Sequence, residues 1–101
     1  MKGPSEEGLA ASLEEDGFRP LPTSCGAVAL PVATAERAVC IALDRIGPDI
    51  RRSEYRYVYK GRRVGETWEL SIWPVAMVFG GGCEVTISAQ SGAITELLWE
   101  R

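Results

Sequence analysis

Two runs in the C-terminal third of the chain alternate strictly between apolar and polar residues, and they constrain the fold more than any other feature. Every second residue is apolar in residues 68–72 and again in residues 83–87. Alternation with a period of two is typical of a β-strand with one buried face. Ser91 and Gly92 separate the second run from another β-prone run, which predicts a tight hairpin with Gly92 at positive φ. The sequence therefore predicts a local antiparallel sheet.

The strongest helical pattern lies in residues 34–46. Thr34 is a suitable N-cap, and Glu36 would lie in the first turn, where the helix dipole favours an acid. Gly47 would supply a left-handed C-cap and Pro48 would prevent continuation, so we expect the helix to end there. Apolar residues recur at the spacing of one helix face: Ala35, Ala38, Val39, Ala42, Leu43 and Ile46.

A further strand is predicted where tyrosines recur at positions 55, 57 and 59, and a turn over residues 61–65 would return the chain to residue 68. The expected fold class is α+β, with one main helix packed on a curved antiparallel sheet of about four strands. In this fold the apolar side chains of the helix and the sheet face each other: Val39, Leu43 and Ile46 opposite Trp68, Leu70, Ile72, Val85 and Ile87.

The charges divide the chain into two parts. Residues 1–26 hold five acids and two bases, whereas residues 27–101 hold nine of each. We expect an acidic leader, with a short helix at 5–16 and a Pro-containing linker at 17–26, followed by one α+β domain at 27–101. Residues 27–32 are apolar but contain Pro31, so they form either an edge strand or an extended lead-in to the helix.

Composition argues against several classes of function. The 101-residue chain has no histidine, which removes the usual general base and the commonest metal ligand, so we expect neither an enzyme nor a metal or other cofactor. Three widely spaced cysteines argue against zinc and against a disulfide framework; we expect reduced thiols, with a single bridge as the alternative. The sequence shows neither a membrane span nor a signal peptide, which favours a cytoplasmic protein.

Two further motifs have alternative interpretations. Gly80, Gly81 and Gly82 suggest a phosphate-binding loop, but no Lys-Ser/Thr pair and no helix follows, which favours a bulge or a close backbone approach. Residues 51–63 hold six bases interleaved with three tyrosines. This segment fits a solvated hairpin best and a surface for an acidic protein next. It fits nucleic acid least, because the domain is neutral.

The predicted binding surface is the face of the sheet opposite the helix. Aromatic and arginine residues frequently anchor protein interfaces, so we predict Trp73 as the anchor. The alternative is that the leader, through Leu9, Leu13 or Phe18, covers Trp73 within the monomer. The acids would suit a partner with a basic active site, and the arginines an acidic partner. On this face or at its margin we expect the partner-binding residues Trp73, Glu69, Glu84, Arg62 and Arg63.

The order of helix, tyrosine strand, tryptophan strand and hairpin resembles that of small bacterial immunity proteins with the nuclear-transport-factor-2-like, or cystatin-like, fold. The resemblance covers about residues 30–98, from the Ala-x-x-Ala helix at 35–38 through the Trp68 strand and Gly81-Gly82 to Gly92-x-Ile94. It implies a non-catalytic cytoplasmic protein that binds and neutralises a toxin.

The hairpin is also similar to that of PepSY-type domains. Those domains are mostly secreted or membrane-attached and are thought to restrain peptidases, so this resemblance implies a regulatory or inhibitory domain. Neither resemblance implies catalytic residues.

Overall fold

A computed structural model of the chain describes residues 17–51, 56–75 and 81–99. Within these residues, one helix, α1 at Ala35–Arg51, packs on one face of a five-stranded antiparallel sheet. The α+β fold class is confirmed, and the sheet has five strands rather than the predicted four. The strands follow one another across the sheet in chain order: β1 Arg19–Pro20, β2 Tyr57–Val64, β3 Thr67–Pro74, β4 Cys83–Ser88 and β5 Ile94–Trp99.

The additional strand, β1, lies in the segment that we expected to be a linker. Arg19 pairs with Tyr59, and Pro20 pairs with Val58. Pro20 has no N–H to donate, and a proline is tolerated at the edge of a sheet for this reason. The predicted leader helix at residues 5–16 lies outside the described residues.

The hydrophobic core lies between α1 and the sheet. The alternation predicted for residues 68–72 and 83–87 is confirmed, because the apolar side chains of both runs point toward the helix. Leu43 and Trp68 are partly buried at the margin of this core. Full burial of one large aliphatic side chain contributes about 1.5–3 kcal/mol. The fully buried members of the predicted set are Val39, Ile46, Leu70, Ile72, Val85 and Ile87.

Residues 27–32 form an extended lead-in to the helix, not an edge strand. We use the name lead-in for the whole segment from residue 21 to residue 32. Val32 at its end is buried, and both of its backbone groups are satisfied. Its N–H donates to the Ala89 carbonyl at 2.7 Å, and its carbonyl accepts from the Trp68 indole at 2.9 Å. These bonds fix the point at which the chain enters α1, since a buried backbone group without a partner would be costly.

The helix begins as predicted but does not end as predicted. Thr34 Oγ1 accepts a hydrogen bond from the Arg37 N–H at 3.2 Å, which confirms the N-cap. At the other end, α1 passes through Gly47 and Pro48 to Arg51, so the predicted stop is wrong. The reason is that Ile50 continues the apolar stripe and is buried. Its burial offsets the hydrogen bond that Pro48 cannot donate.

The two described turns differ in how well they were predicted. The β4–β5 turn has Gly92 at a φ of +73°, as expected. The β2–β3 turn contains only Gly65 and Glu66, so the predicted turn at 61–65 is wrong over residues 61–64. Gly61 is instead a strand residue, and a Cβ there would lie 2.6 Å from Leu70 Cδ2. Its missing side chain therefore lets β2 approach β3 and the helix.

For the cysteines, the structure has the alternative of a single bridge rather than the expected reduced thiols. Cys25 of the lead-in and Cys40 of α1 form a disulfide, with their Cα atoms 5.6 Å apart. Cys83 is the free cysteine among the described residues, and it is buried. The disulfide arises because the lead-in runs alongside the helix, an arrangement that the spacing of the cysteines does not show.

Candidate protein-binding face

We call the face of the sheet that points away from α1 the open face. Its side chains alternate along β3 and β4 with those of the core. The register places Glu69 opposite Thr86 and Ser71 opposite Glu84. The open face therefore brings Glu69, Glu84 and Trp73 together on adjacent strands, as we predicted. These residues and their neighbours Ser71 and Thr86 are all half-buried.

Both predicted acids already have a polar partner within the chain. Arg62, on β2, donates from Nε to Glu69 Oε1 at 2.9 Å, and its Nη2 lies 2.9 Å from the same oxygen. Glu84 Oε2 accepts a hydrogen bond from Ser71 Oγ at 2.7 Å. The arginine side chain is 78% exposed and the Glu69 side chain 42% exposed, so the ion pair adds less than about 1 kcal/mol to stability. Its main effect is to orient the two side chains.

Trp73 is half-buried, so it is neither the exposed anchor nor the fully covered residue that the sequence left as alternatives. Its ring lies against the backbone of Gly82, where a Cβ would overlap the ring. Val58, which pairs with Trp73 across β2 and β3, is buried. Among the three glycines, Gly82 thus has the close-approach role that we expected. Packing on one side leaves part of the indole exposed on the open face.

The leader reaches the open face at the β1–β2 side of the sheet, away from β5. Lys60 Nζ lies 5.7 Å from the centroid of the Phe18 ring, within the range of a cation–π contact. Phe18 therefore lies beside β2 rather than directly against β3. Leu9 and Leu13 lie outside the described residues.

Arg63 is not part of the open face. It pairs with Trp68, whose side chain packs against the core, and its guanidinium lies 5.8 Å from the Trp68 ring. Its Nε donates to the Gly65 carbonyl at 2.7 Å, and its Nη2 is 4.0 Å from Glu66. The structure therefore separates Arg63 from the other four predicted residues, because successive side chains of a strand point to opposite faces.

Two shallow depressions occupy the open face and share Glu69 and Glu84. The first, which we call the acidic depression, lies toward β5 and is also lined by Thr86, Glu96 and Leu98. The second is lined on the β2 side by Lys60, Arg62 and Ser71.

Sequence reasoning missed Lys60, Glu96 and Leu98. The alternation along β2 could have identified Lys60. The other two depend on a register shift between β4 and β5 near Thr86 and Ile87, which no local pattern indicates.

The described residues contain no group of three His, Cys, Asp or Glu side chains that could hold a metal ion. Burial, and secondarily the charge of Glu84, raises the pKa of the Cys83 thiol to about 12. This thiol stays protonated at neutral pH and is a poor nucleophile.

A larger cleft of about 710 Å³ lies between the lead-in and α1. The Cys25–Cys40 disulfide forms part of its wall, together with Leu30, Ile41 and Leu43. Of the described residues that line it, Asp44 is the single charged one. The cleft lies on the opposite side of the sheet from the open face.

No protein family, curated protein or solved structure with which the chain was compared matches it. Within the part of the chain that the structure describes, the helix is too short and too polar to cross a membrane.

Proposed function

We propose that this chain is a non-catalytic protein-binding domain whose partner binds the open face. The observation that carries the proposal is the half-buried Trp73 indole on a face that also presents Glu69, Glu84 and Arg62. The indole is already held in place by Gly82, so it loses little conformational freedom on binding. Preordered aromatic side chains surrounded by polar groups are typical anchors of protein interfaces.

The partner that we propose is a toxin, and the activity is that of an immunity-type protein. Arg62 is neutralised by Glu69, and Arg63 points to the other face. With Glu84 and Glu96 in its lining, the acidic depression has more carboxylates than basic groups. This charge suits a toxin with a basic active site, such as one that attacks nucleic acid, better than an acidic partner.

The disulfide favours a second candidate, a PepSY-like regulatory or peptidase-inhibitory domain. Disulfides persist mainly in oxidising compartments, where PepSY-type domains are mostly found, and they are rare in the cytoplasm. A cytoplasmic location for the immunity-type protein requires Cys25 and Cys40 to be reduced in the cell. Alkylation of free thiols in freshly lysed source cells, followed by mass spectrometry, distinguishes the two candidate functions. Fully alkylated Cys25 supports the cytoplasmic proposal, and an intact bridge supports the alternative.

The test of the immunity proposal is coexpression with toxins encoded beside this gene. Rescue of growth is expected from the unchanged protein and loss of rescue from Trp73→Ala. Trp73→Ala should weaken binding of the purified toxin by more than about 1 kcal/mol. Because the indole is half-buried, this variant should also lose some stability, so binding is measured well below its unfolding temperature.

Two further variants control for that loss. Glu69→Ala removes an exposed ion pair on the open face and should weaken binding with almost no change in stability. Arg63→Ala alters the other face and should bind normally. If no neighbouring gene product is neutralised, the immunity proposal is wrong. If neutralisation survives Trp73→Ala and Glu69→Ala, the open face is the wrong surface.

A further inference from the structure

The strand β5 forms one edge of the sheet and is unusually open to a further strand. Within the described residues it pairs on one side only, with β4. Thr95 and Glu96 are exposed, and so are two large apolar side chains, with Leu98 53% and Trp99 41% accessible. An exposed edge strand presents unpaired backbone N–H and C=O groups that another extended segment can bind.

The two edges of the sheet differ in how well they are protected. The opposite edge, β1, is only two residues long and includes Pro20, which has no N–H to offer. In contrast, β5 has six residues and contains no proline, lysine or arginine, which are the residues that usually block edge pairing. The register shift lies at its start, which leaves residues 96–99 regularly paired with β4.

The acidic depression reaches this edge. Glu96 pairs with Thr86, and Leu98 pairs with Glu84, so both β5 side chains point to the open face. Glu69 is paired with Arg62, and Glu84 with Ser71. No hydrogen bond or ion pair joins the Glu96 carboxylate to another residue of the described part. A cation brought along the edge would therefore meet an uncompensated carboxylate.

We propose that β5 is the docking edge for an extended segment of the partner protein, which adds to the sheet as a further strand and carries Lys or Arg opposite Glu96. The proposal rests on the proposed function, since it names the chemistry of the segment that the partner contributes. The basic head group reaches the acidic depression, and its aliphatic stem covers Leu98. The alternate side chains of the segment are apolar and face Leu97 and Trp99.

Charge disfavours a second copy of this chain as the occupant. Pairing of β5 with its copy would bring two acidic depressions together along one edge. The chain also carries a net charge of −3, so the two copies repel each other. A segment that carries Lys or Arg would instead be attracted to Glu96 and the acidic depression.

The proposal is tested with a synthetic peptide of about six alternating Lys and Val residues, the length of an ordinary strand. On addition of the peptide to the full chain, NMR should show slower hydrogen exchange for those amides of residues 95–99 that point away from β4. A peptide with Glu in place of Lys should give no protection. Equal protection by both peptides would overturn the role of Glu96.

Two lysine variants of β5 make the test more specific. Glu96→Lys should weaken binding of the Lys–Val peptide by about tenfold or more and allow the Glu–Val peptide to bind. Leu98→Lys should weaken binding of the Lys–Val peptide, because it replaces the apolar surface that the lysine stem covers with a cation that repels the peptide. The matched controls are Asp49→Lys on the exposed side of α1 and Val64→Lys at an exposed position of β2. Both variants should bind the Lys–Val peptide normally.

The remaining outcomes separate this inference from the proposed function. Protection of β5 that rises with protein concentration and needs no peptide would assign the edge to a second copy and overturn the proposal. A toxin whose binding is lost with Trp73→Ala but unchanged in Leu98→Lys would overturn the edge proposal and leave the proposed function intact. A basic peptide that binds β5 while no toxin is neutralised would support the edge and reject the toxin.

Discussion

At the scale of single residues, Gly82, just before β4, and Cys83, the first residue of β4, have different roles. Gly82 lies under the Trp73 ring on the open face, whereas Cys83 points into the core. The glycine is required by contact across the sheet and not by its own backbone conformation, since it has no positive φ. The cysteine behaves as a small buried apolar residue, as most buried free cysteines do.

Burial of Cys83 predicts a loss of stability at alkaline pH. Burial and the neighbouring charge of Glu84 raise the pKa of this thiol from 9.0 to about 12. Between these values the unfolded thiol ionises while the folded one stays neutral, so the unfolded state binds fewer protons. The free energy of unfolding should therefore be unaffected below pH 9.0 and fall as the pH rises toward about 12.

Urea unfolding over this pH range, in the protein and in Cys83→Ala, measures the effect. The variant should lose part of the pH dependence and keep the part that comes from Tyr59. The pKa of Tyr59 is also raised, first by burial and then by the charge of Glu36. Identical slopes for the two proteins would contradict the prediction.

At the scale of elements, α1 shows that packing can outweigh the usual signals for a helix end. Gly47 and Pro48 together predict a stop, but Ile50 lies one turn beyond Ile46 and both are buried. The helix continues because the apolar stripe does.

This continuation predicts that Gly47→Ala stabilises the protein by at most about 0.5 kcal/mol, because crowding between the new Cβ and the Pro48 ring reduces the gain from the better helix former. A Cβ at Gly47 meets no atom within 4 Å outside its own helix, and its φ is not positive. Gly92→Ala is the contrasting variant, because Gly92 has a φ of +73° and lies close to Leu30 and Ile41. It should destabilise the protein. Urea midpoints measure both, and destabilisation by Gly47→Ala would indicate a C-cap at that position.

The lead-in is the element that depends most on a covalent bond. Between β1 and Val32, its described attachments to the rest of the chain are the Cys25–Cys40 disulfide and apolar contacts such as that of Leu30. The bridge closes a loop with a sequence separation of 15 residues. A loop of this size contributes about 3 kcal/mol when it is cross-linked.

We therefore expect the double variant Cys25→Ser with Cys40→Ser to lose about 2–4 kcal/mol of stability. The amide of Val32, which donates to the Ala89 carbonyl, should exchange faster with solvent, while the amides of β3 and β4 should keep their exchange rates relative to one another. Reductant should reproduce the effect in the unchanged protein and have no effect on the variant. An unchanged exchange rate at Val32 would mean that the apolar contacts alone hold the lead-in.

At the scale of the whole molecule, the two faces of the sheet have separate roles. One face is covered by α1 and carries the core, and the other presents an indole among charged groups. The edges differ as well, since β1 is short and contains proline while β5 is long and bears Leu98 and Trp99. A partner approaching the open face along β5 would meet the acidic depression without disturbing the core.

The charge of that surface predicts that binding weakens with salt. Raising the ionic strength from about 0.05 M to about 0.5 M shortens the Debye length from about 14 Å to about 4 Å. Affinity for the Lys–Val peptide should fall several-fold over this range. A peptide of alternating Thr and Val should show little salt dependence, and isothermal titration measures both. Salt-independent binding of the lysine peptide would show that apolar contacts and backbone pairing dominate.

The sequence by itself determined the parts of this fold that depend on local periodicity. The alternation in residues 68–72 and 83–87 specifies which side chains are buried, because successive residues of a strand point to opposite faces. Thr34 at the helix start and Gly92 in the hairpin follow from local hydrogen bonding and backbone freedom. Glu69, Glu84 and Trp73 were assigned to one face by the same rule.

Only the tertiary structure decided the features that join distant parts of the chain. The short strand β1, the Cys25–Cys40 bridge and the contact of Trp73 with Gly82 bring together residues whose patterns are independent of one another. The helix end was decided by a buried surface that outweighed Gly47 and Pro48. The place of Glu96 in the acidic depression depended on the register shift between β4 and β5, since one extra residue in a strand moves every later side chain to the other face.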